Sequence, residues 1–273
     1  MAYDLKAAIA AAAKTGPNMN EVQGGGEYTP PAAGIAWARF VGYYEIGLHE
    51  KEYEGRKSFK PLVELVFELS GPNHEPAKLP DGTRLPARIT SRENISFTAK
   101  SHFFKLFAAM NYAGKATHMA ELLGEAYVVE IFHGKSPDGK KTYANLRGPN
   151  GYNVKGTTVQ DPLTGAQVSI PVGPPLTDVK AFIWDIADKS MWDSIYIPGE
   201  YPERKDDKGV VTSPPKSKNV LQNLIMTAQN WPEHPLCAAL LAGGVEPDLP
   251  DAETPERAPA GSGAAADPLA SLG

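Results

Sequence analysis

The 273-residue chain lacks the features that would tie it to a disulfide scaffold, a metal cluster or a membrane. Cys237 is its single cysteine, which excludes an intrachain disulfide and any cysteine-based zinc site. No stretch approaches the roughly 18–20 uninterrupted apolar residues of a membrane span, so no membrane partner is expected. The start, MAYDLKAAIAAAAKTG, places Asp4 ahead of an apolar run poor in large side chains, which argues against a secretory signal and for the cytoplasm. AGKAT (113–117) lacks the first glycine of a phosphate-binding loop, and the six histidines are scattered without ligand spacing. Neither a cofactor nor a catalytic residue is therefore expected.

An excess of positive charge is missing too. The net charge is −5, from 27 Lys+Arg and 32 Asp+Glu, which by itself argues against a nucleic-acid binder. Its distribution argues otherwise. Residues 243–273 hold Glu246, Asp248, Asp251, Glu253, Glu256 and Asp267 against Arg257, so 1 − 6 = −5, and the other 242 residues carry 26 bases and 26 acids. That acidic, Pro/Ala/Gly-rich tail has too few large apolar residues to fold and is expected to be disordered.

What the chain does contain is alternation. Residues 1–33 read as a short helix and a Gly/Pro/Asn-rich linker, with order expected from Gly34. IAWARFVGYYEIGL (35–48) and PLVELVFEL (61–69) read as paired strands, the second with Val63, Leu65, Phe67 and Leu69 on one face. Residues 87–98 alternate again, with Ile89, Ile95 and Phe97 inward. SHFFKLFAAMNY (101–112) then changes period to that of an amphipathic helix with Ser101 as N-cap, and HMAELLG (118–124) ends at Gly124. VVEIFHGKSPDGKKTYANLR (128–147) closes the series as a hairpin. The order strand, strand, strand, helix, strand, strand predicts a mainly β, α+β chain: a five-stranded OB-fold Greek-key barrel over 34–150 with its helix between strands three and four. Residues 151–242 are expected to form an extension packed on or beside the barrel. In it, TTVQ and QVSIPV pair across PLTG, KAFIWDI (180–186) and MWDSIYI (191–197) form strands, and SKNVLQNLIMTAQNW (217–231) forms a helix.

If each strand turns its most apolar alternation inward, the outward positions collect Trp37, Arg39 and Tyr43, then Arg88 and Arg92, then Lys141, Tyr143, Asn145 and Arg147. Phe40, Tyr44 and Ile46 form a competing inward set in the first strand, where a shift of one residue exchanges the faces. Connecting loops add Arg56, Lys57 and Lys60, and Lys135 and Lys140. Aromatics among cations on one surface suit single strands, because unstacked bases offer π faces and phosphates need neutralising. Asp185, Asp188 and Asp193 with Glu200 are a candidate set for a divalent metal, which would serve a nuclease.

GIAWARFVGYYEIGLHE, VELVFELSGP, the phenylalanine-rich helix, and MAELLGEAYVVEIFH followed by DGKKTYANLRG together resemble the OB-fold single-stranded-DNA-binding proteins of tailed-bacteriophage replication and recombination modules. MWDSIYIPGEY fits the same resemblance, which covers roughly residues 25–200. It implies a non-enzymatic protein that coats single strands in the cytoplasm of the bacterial host, with Lys141, Tyr143 and Asn145 lining the groove. In such proteins an acidic tail docks replication proteins and competes with DNA. Here the tail ends in ADPLASLG, without a terminal acidic run or final aromatic. A strand-annealing recombination protein, a metal-dependent nuclease and a structural or assembly protein with an OB-like interaction domain are the alternatives.

Overall fold

The structure, a computed structural model, describes residues 29–242 apart from 80, 162, 207 and 208. The expected N-terminal helix and most of its linker, and the acidic tail from 243, lie outside the described residues. The chain is mainly β with a few helices. β1 (Gly34–Tyr53) is rich in aromatic and β-branched side chains and pairs antiparallel with β2 (Arg56–Ser70) along its length. A small hairpin, β3 (Ala77–Lys78) with β4 (Arg84–Leu85), precedes β5 (Arg88–Asn94), which returns to pair with β2. Helix α1 (His102–Met110) starts where the Ser101 hydroxyl accepts the Phe104 N–H, as expected, and buries Phe103, Leu106 and Met110. A short 3₁₀ turn, Met119–Leu122, precedes Gly124, whose φ of 87° reverses the chain at little steric cost.

β6 (Ala126–Lys135) pairs with the first half of β1 and turns into β7 (Thr142–Asn145). β8 (Arg147–Gly148) and β9 (Gly151–Tyr152) form a tight hairpin, and β10 (Val154–Gly156) adds to β6. β11 (Thr158–Gln160) pairs with β12 (Gln167–Ser169) across the expected turn, and β13 (Lys180–Phe182) runs parallel to Gly42–Tyr44 of β1.

The main sheet has seven strands, with the path β10-β6-β1-β2-β5 and with β7 and β13 pairing to β6 and β1. It is not closed into a barrel by a backbone ladder among the described residues. Side chains bridge the gap. Glu93 on β5 accepts from Arg147 Nη1 at 3.2 Å and from the Tyr152 hydroxyl, which also meets Ser91 Oγ at 2.7 Å.

The first core lies on one face of this sheet. Val63, Leu65, Phe67 and Leu69 all enter it, as their alternation requires, beside Phe40, Phe103, Leu106, Tyr127, Val129, Ile131 and Leu146. In β1 the alternation is broken twice, by register shifts between Phe40 and Gly42 and between Glu45 and Gly47. Each extra residue swaps the faces. Tyr43, expected outward, is therefore in the core at 1 % exposure.

A second core forms where Ile46 and Leu62 meet Phe182, Trp192, Ile195, Ile225, Trp231 and Leu236. MWDSIYI is not a strand there but helix α2 (Lys189–Ser194), because Asp188 accepts the Met191 N–H as N-cap and the i, i+3 spacing turns Trp192 and Ile195 to the same core. Helices α3 (Val220–Met226) and α4 (Pro235–Ala242) complete it. Among the described residues these elements belong to one compact unit, 30–201 and 217–242; a second unit contributes mainly a hairpin of Arg204–Lys205 with Val211–Ser213.

Candidate nucleic-acid interface

Beyond the core, β1 and β2 continue as a two-stranded arm turned at Glu54 (φ 50°) and Gly55 (φ 73°). Two successive positive φ values are those of a tight primed turn, whose twist matches the strands it joins. Opposed residues in an antiparallel ladder share a face. Leu48, Glu50 and Glu52 therefore lie with Pro61, Phe59 and Lys57 on one side, and His49 and Lys51 with Lys60 and Ser58 on the other, the side to which Arg56 also belongs. The acids fall on one face, where Lys57 pairs with Glu50 at 2.8 Å, while Lys51, Arg56 and Lys60 fall on the opposite face.

The second face continues into Arg92. Burial holds the Lys51 ammonium below the ordinary lysine range and the Arg92 guanidinium adds to this, while Glu93 opposes it. Burial likewise lowers His49, with Arg92 and Lys51 acting in the same direction and Glu64 and a hydrogen bond to the Ile46 carbonyl against it. An anion on this face relieves the crowding of cations.

The loop joining β6 to β7 is ordered by its own polar groups. Asp138 accepts from the Ser136 hydroxyl and from the Lys140 N–H at 3.1 Å, and these bonds hold its carboxyl below the usual range. Ser136 and Lys141 close the loop, N–H to carbonyl at 2.8 Å and N–H to hydroxyl at 2.9 Å. Lys135, Lys140 and Lys141 project from it, all exposed; Lys141 is the last loop residue and not part of the strand.

The following alternation falls as the sequence predicts. Ala144 and Leu146 join the core, and Tyr143 and Asn145 take the opposite face, across from Gly134 and Phe132. The Phe132 ring covers Gly148, where an added Cβ would approach to 2.6 Å. On the same face Ile35 lies opposite Glu130, and Trp37 opposite Val128, itself opposite Lys155. Ile35, Trp37, Phe132 and Tyr143 thus share one face with Glu130, spread along β6, with Lys155 at the Trp37 end and the loop lysines at the Tyr143 end. Trp37 is half-buried, its ring in van der Waals contact with the Cβ position of Gly71.

Several expected contact residues hold the fold together instead. The Arg39 guanidinium donates to the carbonyls of Gly124 (2.6 Å), Val172 (2.6 Å) and Gly173 (2.8 Å). Glu68, beside Arg39 in the ladder, accepts from Leu176 N, Thr177 N and Thr177 Oγ1. Residues 172–177 therefore lie over the middle of the outward face. Tyr43 donates to Glu45 at 2.7 Å, and burial with that neighbouring charge pushes its hydroxyl pKa well up. Arg92 pairs with buried Glu64 at 2.6 Å, and Arg147 with Glu93. Arg88 is exposed and faces Glu68 across the ladder.

On the outward face Arg56 and Lys60 lie on the arm, Trp37 stands opposite Val128, and Tyr143 stands opposite Gly134 next to the loop that carries Lys140 and Lys141. Sequence reasoning missed Lys51, His49, Phe132 and Lys155. Extending the first strand's alternation past residue 48 would have found the first two.

Two of the four acids suggested for a metal have local roles. Asp188 caps α2, Asp193 pairs with Lys189 at 2.7 Å, and no group of three or more metal-ligating side chains occurs among the described residues. Compared with protein-family models, curated proteins and solved structures, the chain matches none.

Proposed function

We propose that this protein binds single-stranded DNA without sequence specificity, through base stacking and phosphate contacts, on an OB-like sheet. The observation that carries the reading is the run of aromatic side chains Trp37, Phe132 and Tyr143 on one face of the sheet, with Lys155 at one end, Lys140 and Lys141 at the other, and the cationic face of the arm on the same side. Rings accept any base and lysines any phosphate, so the arrangement favours tolerance over base readout. The OB-like reading is supported by the pairings: β1 antiparallel to both β2 and β6, β2 to β5, β6 to β7, and α1 between the third and fourth long strands. The Glu93, Arg147 and Tyr152 contacts supply by side chains the closure that a barrel makes by backbone. The setting, a phage replication or recombination module in the bacterial cytoplasm, rests on the sequence resemblance alone.

The test is retardation of single-stranded DNA, duplex DNA and RNA of equal length, with Mg²⁺ added to a parallel series. Tighter binding to single-stranded DNA than to duplex, falling with salt at a slope of about −0.7 per neutralised phosphate, is the expected result. Equal affinity for single strand and duplex rejects the reading. Accelerated annealing or cleavage in the Mg²⁺ series moves it to an annealing protein or a nuclease.

A further inference from the structure

The segment from Ile95 to His118 contains Lys100, Lys105 and Lys115 and no acid. It begins where β5 leaves the sheet and includes α1. A loop here holds Phe97 out at 77 % exposure. This is a fixed position: Ile95 N–H donates to the Pro61 carbonyl at 2.8 Å, Ser101 N–H to the Thr98 carbonyl at 2.9 Å, and the Ser101 hydroxyl to the Ser96 carbonyl at 2.5 Å. The Phe97 ring meets buried Phe103 edge to face, centroids 6.1 Å apart at 77°, so one contact anchors it and most of the ring stays open. Next to Phe103 in the helix, Phe104 is exposed as well, with Lys105 beside it. The Pro61 contact also brings the base of the arm to this loop, and two residues outward along β2 Phe59 is 46 % exposed.

We infer that Phe97 and Phe104, with Lys100 and Lys105, form a second stacking platform for single-stranded DNA, on the α1 side of the sheet. The inference rests on the single-strand reading and extends it. A ring held open by an ordered turn stacks on a base without losing loop freedom, and an acid-free, lysine-bearing segment tolerates phosphate at every position. β5 is an edge of the sheet's main path, and exposed Arg88 lies on its outward side, so a strand crossing that edge passes from the first surface to the second outside the core. A short oligonucleotide occupies the Tyr143 surface alone. A long one occupies both.

The experiment compares oligomers of about 8 and about 30 nucleotides, chosen to fall within and beyond the span of one such fold. The Phe97→Ala, Phe104→Ala double variant is expected to bind the short oligomer as wild type does and the long one about tenfold more weakly, as loss of one stack at the lower end of its range implies. Tyr143→Ala weakens both. In the wild-type protein, photocrosslinking of a bromodeoxyuridine-substituted long oligomer is expected to label the peptide carrying Phe97, a readout independent of any variant's folding. Unchanged long-oligomer affinity and no such crosslink, with the Tyr143→Ala effect intact, overturn the second platform and leave the proposed function standing. Equal losses on both lengths overturn it in favour of one continuous site. Phe97-dependent retention of a 243–273 peptide without a DNA effect overturns it in favour of an acidic-peptide surface. No single-strand binding by wild type removes both readings together.

Discussion

Tyr43 and Tyr143 sit alike in the sequence, each in an alternating strand among cations, and the fold sends them to opposite sides of the sheet. Tyr43→Ala removes a fully buried ring and should lower stability by about 3–5 kcal/mol in a denaturant melt. Tyr143→Ala should leave the melt unchanged and weaken single-strand binding by about 1–3 kcal/mol. The reverse pattern would invert the assigned faces. Glu93 offers a second residue-scale test, because it is 8 % exposed by side chain and Arg147 18 %. Glu93→Ala strips an acceptor shared by Arg147 and Tyr152 from the seam between β5 and the β7–β9 region. A loss of about 3 kcal/mol is expected, the lower end for breaking a buried pair, because Arg147 retains some solvent. Amide exchange should quicken in β8 and β9 ahead of β1 and β2. A loss under about 1 kcal/mol, the scale of an exposed pair, would mean that the seam is held by packing alone.

At the scale of elements, the arm is a charge separator. Its alternation puts Lys51, Arg56 and Lys60 on one face and Glu50 and Glu52 on the other, so a test can reverse one face and spare the other. Changing Lys51, Arg56 and Lys60 to Glu should cut single-strand affinity and flatten its salt dependence by about 0.7 per lost phosphate contact, whereas changing Glu50 and Glu52 to Gln should leave the slope unchanged. Equal effects from both faces would show that the arm acts only through net charge. The elements also show where sequence reasoning succeeded and where it stopped. The inward face of β2 was legible because no bulge interrupts residues 63–69, and the Thr142, Ala144, Leu146 side of the last hairpin was legible for the same reason. The faces of β1 were not read correctly, because one inserted residue reverses every side chain after it; the local signs of the two insertions are the strand glycines beside them, Gly42 and Gly47. MWDSIYI has the aromatic and β-branched content of a strand, yet the cap at Asp188 and the burial of Trp192 and Ile195 decide for a helix. The cover over the outward face was illegible for another reason. Arg39 is held by backbone carbonyls of residues 124, 172 and 173, and a carbonyl carries no trace of its partner in the sequence.

For the whole molecule the deciding quantity is how charge is divided along the chain. Residues 1–242 are balanced at 26 bases and 26 acids, and residues 243–273 hold the entire net −5. Within the balanced part, two arginines are already matched, Arg92 to Glu64 and Arg147 to Glu93, and their neutralising acids are buried. The exposed cations include Arg56 and Lys60 of the arm and those of the β6–β7 loop, together with Arg88, Lys100, Lys105 and Lys155. On the proposed single-strand reading, tethering to the same chain would keep the tail's acids at high effective concentration whatever the protein concentration, and they are expected to compete with phosphate for Arg56, Lys60, Lys140 and Lys141. Deleting residues 243–273 should tighten single-strand binding most at low salt, and the difference should fade as salt shortens the screening length from about 30 Å at 0.01 M to about 8 Å at 0.15 M. Anisotropy titrations of the full and truncated chains across that range measure both the size of the effect and its decay. A truncated chain that binds no tighter at low salt would detach the tail from the cationic surface, and a difference that persists undiminished to high salt would make the competition apolar, through Leu249, Leu269 or Leu272, instead of electrostatic.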